Sequence, residues 1–209
     1  MRARHLGRRA LLAGAPLALA SCASPNPTLY TLAAVPGQPL PGGPRSAELR
    51  RVGLAGYLDR PAVVRSTDDY RLQLAHDDRW GAPLGEMIER VLDEDLSQRL
   101  PDCTVYTESG AISTSPDRIV EIDMQRFDGD ARGNVVLAAE VAVRPGDSHT
   151  ALGTRTVRLS VTPRSPATAD FVAALSAALG QLADATADML RAAQPQPAAE
   201  ARATRARRR

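Results

Sequence analysis

The chain has 209 residues and a formal net charge of +2, with no lysine, three histidines and two cysteines. Without lysine there is neither a Walker A phosphate loop nor a Schiff-base nucleophile, and His76 and His149 stand in polar stretches too far apart for metal-ligand spacing, so no cofactor is expected. Nine of the arginines lie at the two extremes, so residues 22–199 hold 17 arginines against 23 acidic residues, a net charge of −6 that excludes a basic nucleic-acid-binding face.

Residues 1–21 read as a secretory signal peptide: Arg2, Arg4, Arg8 and Arg9 form a positive n-region, and Ala10 to Ala20 a short apolar run. Eleven residues are too few to span a bilayer, which needs about 20. The run ends in Leu19-Ala20-Ser21-Cys22, which resembles a bacterial lipobox. That resemblance implies acylation of the Cys22 thiol, cleavage before it, and a lipid bilayer as partner. Arg8-Arg9-Ala10-Leu11-Leu12 also resembles a twin-arginine export signal, without its usual polar and aromatic neighbours. No aspartate follows Cys22; by resemblance to enterobacterial sorting this favours the periplasmic face of the outer membrane over that of the inner membrane. Processing leaves 188 residues, enough for one domain with its own core. Cys103 then has no second thiol and reads as a small buried residue.

Residues 22–47 are rich in Pro, Gly, Ser and Ala and read as lipid anchor and tether, broken by the strand-like run Thr28 to Leu32. The folded part is expected from 48 to 193. Val52, Leu54 and Leu58 alternate as in a strand, Val63 to Arg65 form a second, and Tyr70 to Leu74 a third after a turn at Asp68-Asp69. The period then changes. Leu84, Met87, Ile88, Val91, Leu92 and Leu96 fall on one stripe of a helix running from Pro83 to Leu100. Asp95 intrudes on the stripe, and Arg99 four residues on makes it an expected ion pair at the edge of the interface.

Strands resume at Thr104 to Tyr106. Arg118 to Phe127, Asn134 to Arg144 and Ala151 to Val161 alternate and predict an antiparallel meander with one buried face. A second helix is expected from Ala169 to Ala193, with Thr168 as its cap, Phe171, Leu175, Leu179, Leu182 and Met189 on the buried face, and Gly180, Asp184 and Asp188 opposite. Residues 194–209 read as a disordered basic tail. The element order predicts an α+β domain: a mainly antiparallel or mixed sheet with two principal amphipathic helices packed on it.

Several short motifs are more specific. They are Tyr30-Thr31-Leu32, Val52 to Arg65 with Tyr57-Leu58-Asp59-Arg60-Pro61 at its centre, Trp80-Gly81-Ala82-Pro83-Leu84, and Arg126-Phe127-Asp128 at a strand end. Together with the lipobox they resemble the PqiC-like family of ABC-type transport auxiliary lipoproteins, over about residues 19 to 192. Gly81-Ala82 replaces the family's Ala-Glu, and Leu54-Ala55-Gly56 its usual approach to the tyrosine. The resemblance implies a non-catalytic subunit of an MCE-type intermembrane lipid transport system. It further implies an MCE-domain protein as partner and a possible homo-oligomer. Tyr57 and Arg60 read either as a strand-end turn or as partner contacts, and Trp80 either as core or as a lipid- or partner-facing residue. Two alternatives are a structural envelope lipoprotein without a transport role and a lipid-anchored secreted hydrolase. The second has Ser109 and Ser113 but no Gly-x-Ser-x-Gly elbow.

Overall fold

A computed structural model describes residues 26–68, 71–111 and 114–193. In chain order the elements are β1 (Thr28–Tyr30), β2 (Ser46–Leu49), β3 (Gly53–Leu54), β4 (Ala62–Asp68), β5 (Arg71–Trp80), α1 (Leu84–Arg99), β6 (Thr104–Thr107), β7 (Arg118–Gly129), β8 (Val135–Pro145), β9 (Gly153–Val161) and α2 (Thr168–Ala192). This is an α+β fold. The larger sheet runs β6-β2-β7-β8-β9, with β3 also on β7; the smaller is β1-β5-β4. β7, β8 and β9 form the expected antiparallel meander. β2 is parallel to both of its neighbours, and β1 is parallel to β5.

The alternation seen in the sequence sorts the meander's faces. Val120, Ile122 and Met124 of β7 and Val135, Leu137, Ala139, Val141 and Val143 of β8 are buried, while Glu121, Asp123 and Glu140 point outward. A bulge between Met124 and Arg126 then shifts the phase of β7 and turns Phe127 into the core. Gly129 closes the strand, where a Cβ would strike the Arg65 carbonyl of β4, so only glycine lets the two sheets meet there.

Both helices pack as their stripes require. All six apolar stripe residues of α1 are buried, each worth roughly 1.5–3 kcal/mol of transfer free energy. α1 starts after Pro83, which is the cap residue and not part of the first turn, and no side chain caps it. α2 begins at Thr168 with Ala167 as its cap residue; the Thr168 hydroxyl is turned instead to Asp78 Oδ2, at 2.5 Å. The buried arc of α2 is wider than its leucine stripe. Ala174, Ala178, Gly180, Ala183, Thr186 and Ala187 make a second covered face of small residues. Gly180, expected opposite the core, is therefore inside it.

The structure corrects the composition reading of 28–47. These residues are no tether: they form β1, a strap across both helices, and the start of β2. The strap has no periodicity and is held through its backbone. Ala33 N–H donates to Ser176 Oγ at 3.2 Å, Val35 N–H to Asp95 Oδ1 at 2.8 Å and Leu40 N–H to the Arg99 carbonyl at 2.7 Å. The folded part therefore starts at Thr28, well before the expected residue 48. Two further expectations shift. Leu58 lies in a turn after the two-residue β3 and does not extend a strand, and His76 belongs to β5 and not to a loop. The expected turn at Asp68-Asp69 falls partly on residues outside the described ones.

The largest correction concerns Asp95 and Arg99. They are not at an interface edge: they are 0% and 2% exposed, under the strap and between the helices. Arg99 distributes its donors fully. Nε bonds Asp184 Oδ1 at 2.5 Å, Nη1 the carbonyls of Val35 (3.1 Å) and Asp95 (3.0 Å), and Nη2 the Gly180 carbonyl at 3.0 Å. Asp184, expected opposite the core, is half-exposed there and still serves as the guanidinium's carboxylate partner at 2.5 Å, with Asp95 Oδ1 farther off at 3.6 Å. Gly37 packs directly on the guanidinium and has no room for a Cβ. Burial holds the Asp95 carboxyl above the usual range, outweighing the Val35 amide and Arg99. The folded chain then keeps that proton to higher pH than the unfolded chain, so this carboxyl favours folding as pH falls through its raised value and loses that contribution as pH rises past it.

Arg99→Ala should lower the unfolding free energy by about 3–5 kcal/mol, because it leaves Asp95 buried and uncompensated. Asp184→Ala, which removes the half-exposed member of its pair, should cost about 1–2 kcal/mol. Urea denaturation of the two variants checks the order, and equal midpoints would show that the guanidinium does not join the helices.

Candidate docking surface

The motifs centred on Tyr57 and Arg126 are distant in sequence and adjacent in space. β3 brings them together: Gly53 and Leu54 pair in parallel with Asp123 and Met124 of β7, and Ala55 N–H donates to the Met124 carbonyl at 3.0 Å. The chain then turns, and the Tyr57 hydroxyl donates to Asp128 Oδ2 at 2.5 Å. Arg126 holds the other oxygen of the same carboxylate, Nη2 at 2.6 Å and Nε at 3.2 Å. Asp128 is fully buried. Arg60 closes the turn by donating Nε to the Tyr57 carbonyl at 2.5 Å. Trp80 N–H then bonds the Pro61 carbonyl at 2.7 Å, tying the motif to the end of β5. Burial and the bond to Asp128 hold the Tyr57 phenol far above its usual range, so it stays a donor at any ordinary pH.

This lock presents the loop 56–59 to solvent. Gly56 and Asp59 are exposed and line an open groove of about 690 Å³ whose opposite wall is the first half of α1. Glu86, Glu89 and Asp93 come from one helix face, and Arg51 and Arg90 from its two sides. The chemistry is mixed and mainly acidic. Glu89 is buried and accepts the Val52 N–H at 3.0 Å, which fixes the β2–β3 connection to the helix. Asp93 is half-buried, and its Oδ1 has no hydrogen-bond partner among the described residues. Burial, then Glu94, pushes its carboxyl up. Arg90 reaches back to the Leu32 carbonyl at 2.7 Å, so the Tyr30-Thr31-Leu32 motif is the seam between the N-terminal arm and this helix.

The residues singled out from sequence therefore have unequal places. Tyr57 and Arg60 are spent on the lock, where they set the loop. Trp80 is 7% exposed and packs in the core. Cys22 lies outside the described residues. Cys103 is buried, and burial, followed by Asp117, pushes its thiol up to about 11, which leaves it in the unreactive protonated form. Ser109 lines the groove, with its hydroxyl turned to Thr107 Oγ1 at 3.5 Å. Glu89 and Asp93 were missed. Their signal was present as a carboxylate row, with Glu86, flanking the apolar stripe at i, i+3 and i+7.

The profile of the family described as ABC-type transport auxiliary lipoprotein component matches residues 30–187. The chain belongs to this family. It is the family that the motifs indicate, and the match takes in both halves of the lock and the whole groove. Two crystal structures share the fold. One is of an uncharacterized protein, 19% identical, covering 78% of this chain and 98% of its own, with a TM-score of 0.66. The other is of a DUF330-family protein from Xanthomonas campestris, also 19% identical, covering 78% of this chain and 93% of its own, with a TM-score of 0.64. No functionally curated protein matches the chain.

Tyr57→Phe removes one charge-assisted hydrogen bond and leaves Asp128 held by Arg126 alone. It should lower the unfolding free energy by about 2 kcal/mol. Urea titration checks this, and an unchanged midpoint would mean that the loop is held by other contacts.

Proposed function

We propose that this chain is the lipid-anchored, non-catalytic subunit of an MCE-type intermembrane lipid transport system. It is acylated at Cys22, stands on the periplasmic face of the outer membrane and docks the periplasmic conduit there. Membership of the auxiliary lipoprotein family carries the reading, since an auxiliary component acts through a partner. The groove supports it with a formed surface of suitable chemistry. Asp59, Glu86, Glu89 and Asp93 outnumber Arg51 and Arg90 along it, which fits a partner segment bearing arginine or lysine. Tyr57 and Arg60 act as positioning residues: they hold the loop that carries Asp59. A homo-oligomeric collar would repeat this groove around a conduit.

Two experiments test the reading. A photo-crosslinking side chain at Asp59 or Glu86 should capture an MCE-domain protein in intact cells. Capture of none, with normal barrier function after deletion of the gene, would favour a structural envelope lipoprotein instead. Cys22→Ala should abolish incorporation of labelled fatty acid and release the folded domain from membranes in high salt. A variant that still takes up label and stays bound would remove the lipidation assignment.

A further inference from the structure

The end of the molecule nearest Cys22 carries two surface features that docking in the groove does not use. The first is apolar. β1 runs parallel to the last residues of β5, Thr28 opposite Asp78 and Tyr30 opposite Trp80. The chain therefore enters β1 from the side of the β4–β5 hairpin tip. Cys22 precedes Thr28 by six residues, at most about 20 Å of chain. Among the large apolar side chains exposed in the described residues, Leu72 (41%) and Leu74 (44%) lie on the first half of β5, toward its hairpin with β4, while Leu29 (63%) stands opposite Arg79 near the other end of that strand.

The second feature is cationic. Leu74 pairs with Val64, and the next residue of β4, Arg65, lines a pocket of about 320 Å³ together with Arg132, Asn134, Arg164 and Ser165. Arg65 lies over the Phe171 ring, 4.2 Å from its centroid, and gives Nη2 to the Pro166 carbonyl at 2.8 Å. Its Nη1 is buried without a hydrogen-bond partner. Of the three arginines, only Arg164 has a carboxylate partner among the described residues, Asp170 at 2.9 Å. Neighbouring carboxylates have internal partners: Asp78 takes the Thr168 hydroxyl, Asp130 the Asn134 side chain and the Arg132 N–H, and Asp170 the Ser165 hydroxyl. Asp77 is exposed. The start of α2 adjoins the pocket, and no side chain caps its first amides.

We propose that this end is a membrane-facing surface for an anionic phospholipid bilayer. Leu72 and Leu74 enter the boundary between headgroups and acyl chains, and Arg65, Arg132 and Arg164 take the headgroup phosphates. The proposal rests on the reading of Cys22 as the anchor, which puts Thr28 within about 20 Å of the bilayer, with the chain entering β1 from the hairpin side. It assigns to the folded domain a membrane contact of its own, with an orientation that acylation alone does not set. Apolar contact of this kind is insensitive to salt, whereas the arginine contribution is screened.

The test uses the chain from residue 22 to 209 with Cys22→Ser, so that no acyl group contributes. Arg202, Arg205, Arg207, Arg208 and Arg209 are changed to glutamine, so that the tail does not either. Flotation with equimolar phosphatidylcholine–phosphatidylglycerol vesicles should show binding that weakens with salt, and pure phosphatidylcholine vesicles should bind much less. Arg132→Gln with Arg164→Gln should weaken binding to the anionic vesicles about 25-fold, from roughly fivefold per arginine near an anionic surface. Leu72→Ser with Leu74→Ser should weaken it at every salt concentration. All four positions are on exposed strand or loop, and an unchanged melting temperature confirms that the variants fold. Anionic-vesicle binding equal to the parent's in both double variants overturns the proposal, as does equal binding to both vesicle types. If the natural chain takes up no labelled fatty acid while the Cys22→Ser chain binds as expected, the anchor reading fails and the surface stands.

Discussion

Arg99 is the residue on which the packing of the helical layer depends. It emerges from the last turn of α1, touches α2 at Asp184 and Gly180, and holds the strap at Val35. Removing a guanidinium from water costs several kcal/mol, and two carboxylates and three carbonyls here offset that cost. An apolar side chain of similar volume would fill the space more cheaply. It would not fix the strap in register, because the strap offers little but backbone groups. The ion pair's contribution is therefore specificity of placement more than net stability. What it places is the segment that joins β1 to β2 across both helices.

The second lock repeats the logic on the opposite side of α1. Asp128 is a buried carboxylate whose two oxygens are claimed from different elements, one by Tyr57 of the turn and one by Arg126 of its own strand. The β7 bulge makes this possible. Without it Phe127 would point outward, and the strand end would have nothing apolar to seat it beneath α2. With it the phenyl ring enters the core and the carboxylate is roofed over by the turn. A short loop between two-residue β3 and β4 thereby becomes a fixed edge of the groove. Loops that carry recognition need such a scaffold, and here the scaffold is polar and fully satisfied.

Periodic elements were legible in the sequence, and contacts without period were not. The stripe of α1, the alternation of β7 and β8 and the motif words themselves all appear where hydrophobic spacing puts them. The strap did not, because Pro- and Gly-rich sequence looks the same whether it is free or bound along its backbone to Ser176 and Asp95. Asp95 and Arg99 look like an ordinary i, i+4 surface pair. Only the third party, Asp184 on a helix 85 residues away, makes them interior. The small-residue face of α2 carries no hydrophobic signal, since alanine and glycine scarcely register against leucine. The lock was spelled out in two places, but its closure needs the parallel pairing of β3 with β7, which no local pattern announces.

β5 runs from the hairpin with β4 to the approach to α1. At its first residues lie Leu72 and Leu74; at its last, Trp80 leads directly to Pro83 at the rim of the groove. Ten residues of strand span about 30 Å. With the hairpin tip at the bilayer, the groove would stand about that far from the membrane, beyond the reach of headgroup charge at physiological ionic strength. A basic partner segment would then meet the acidic wall of α1 without competition from anionic lipid.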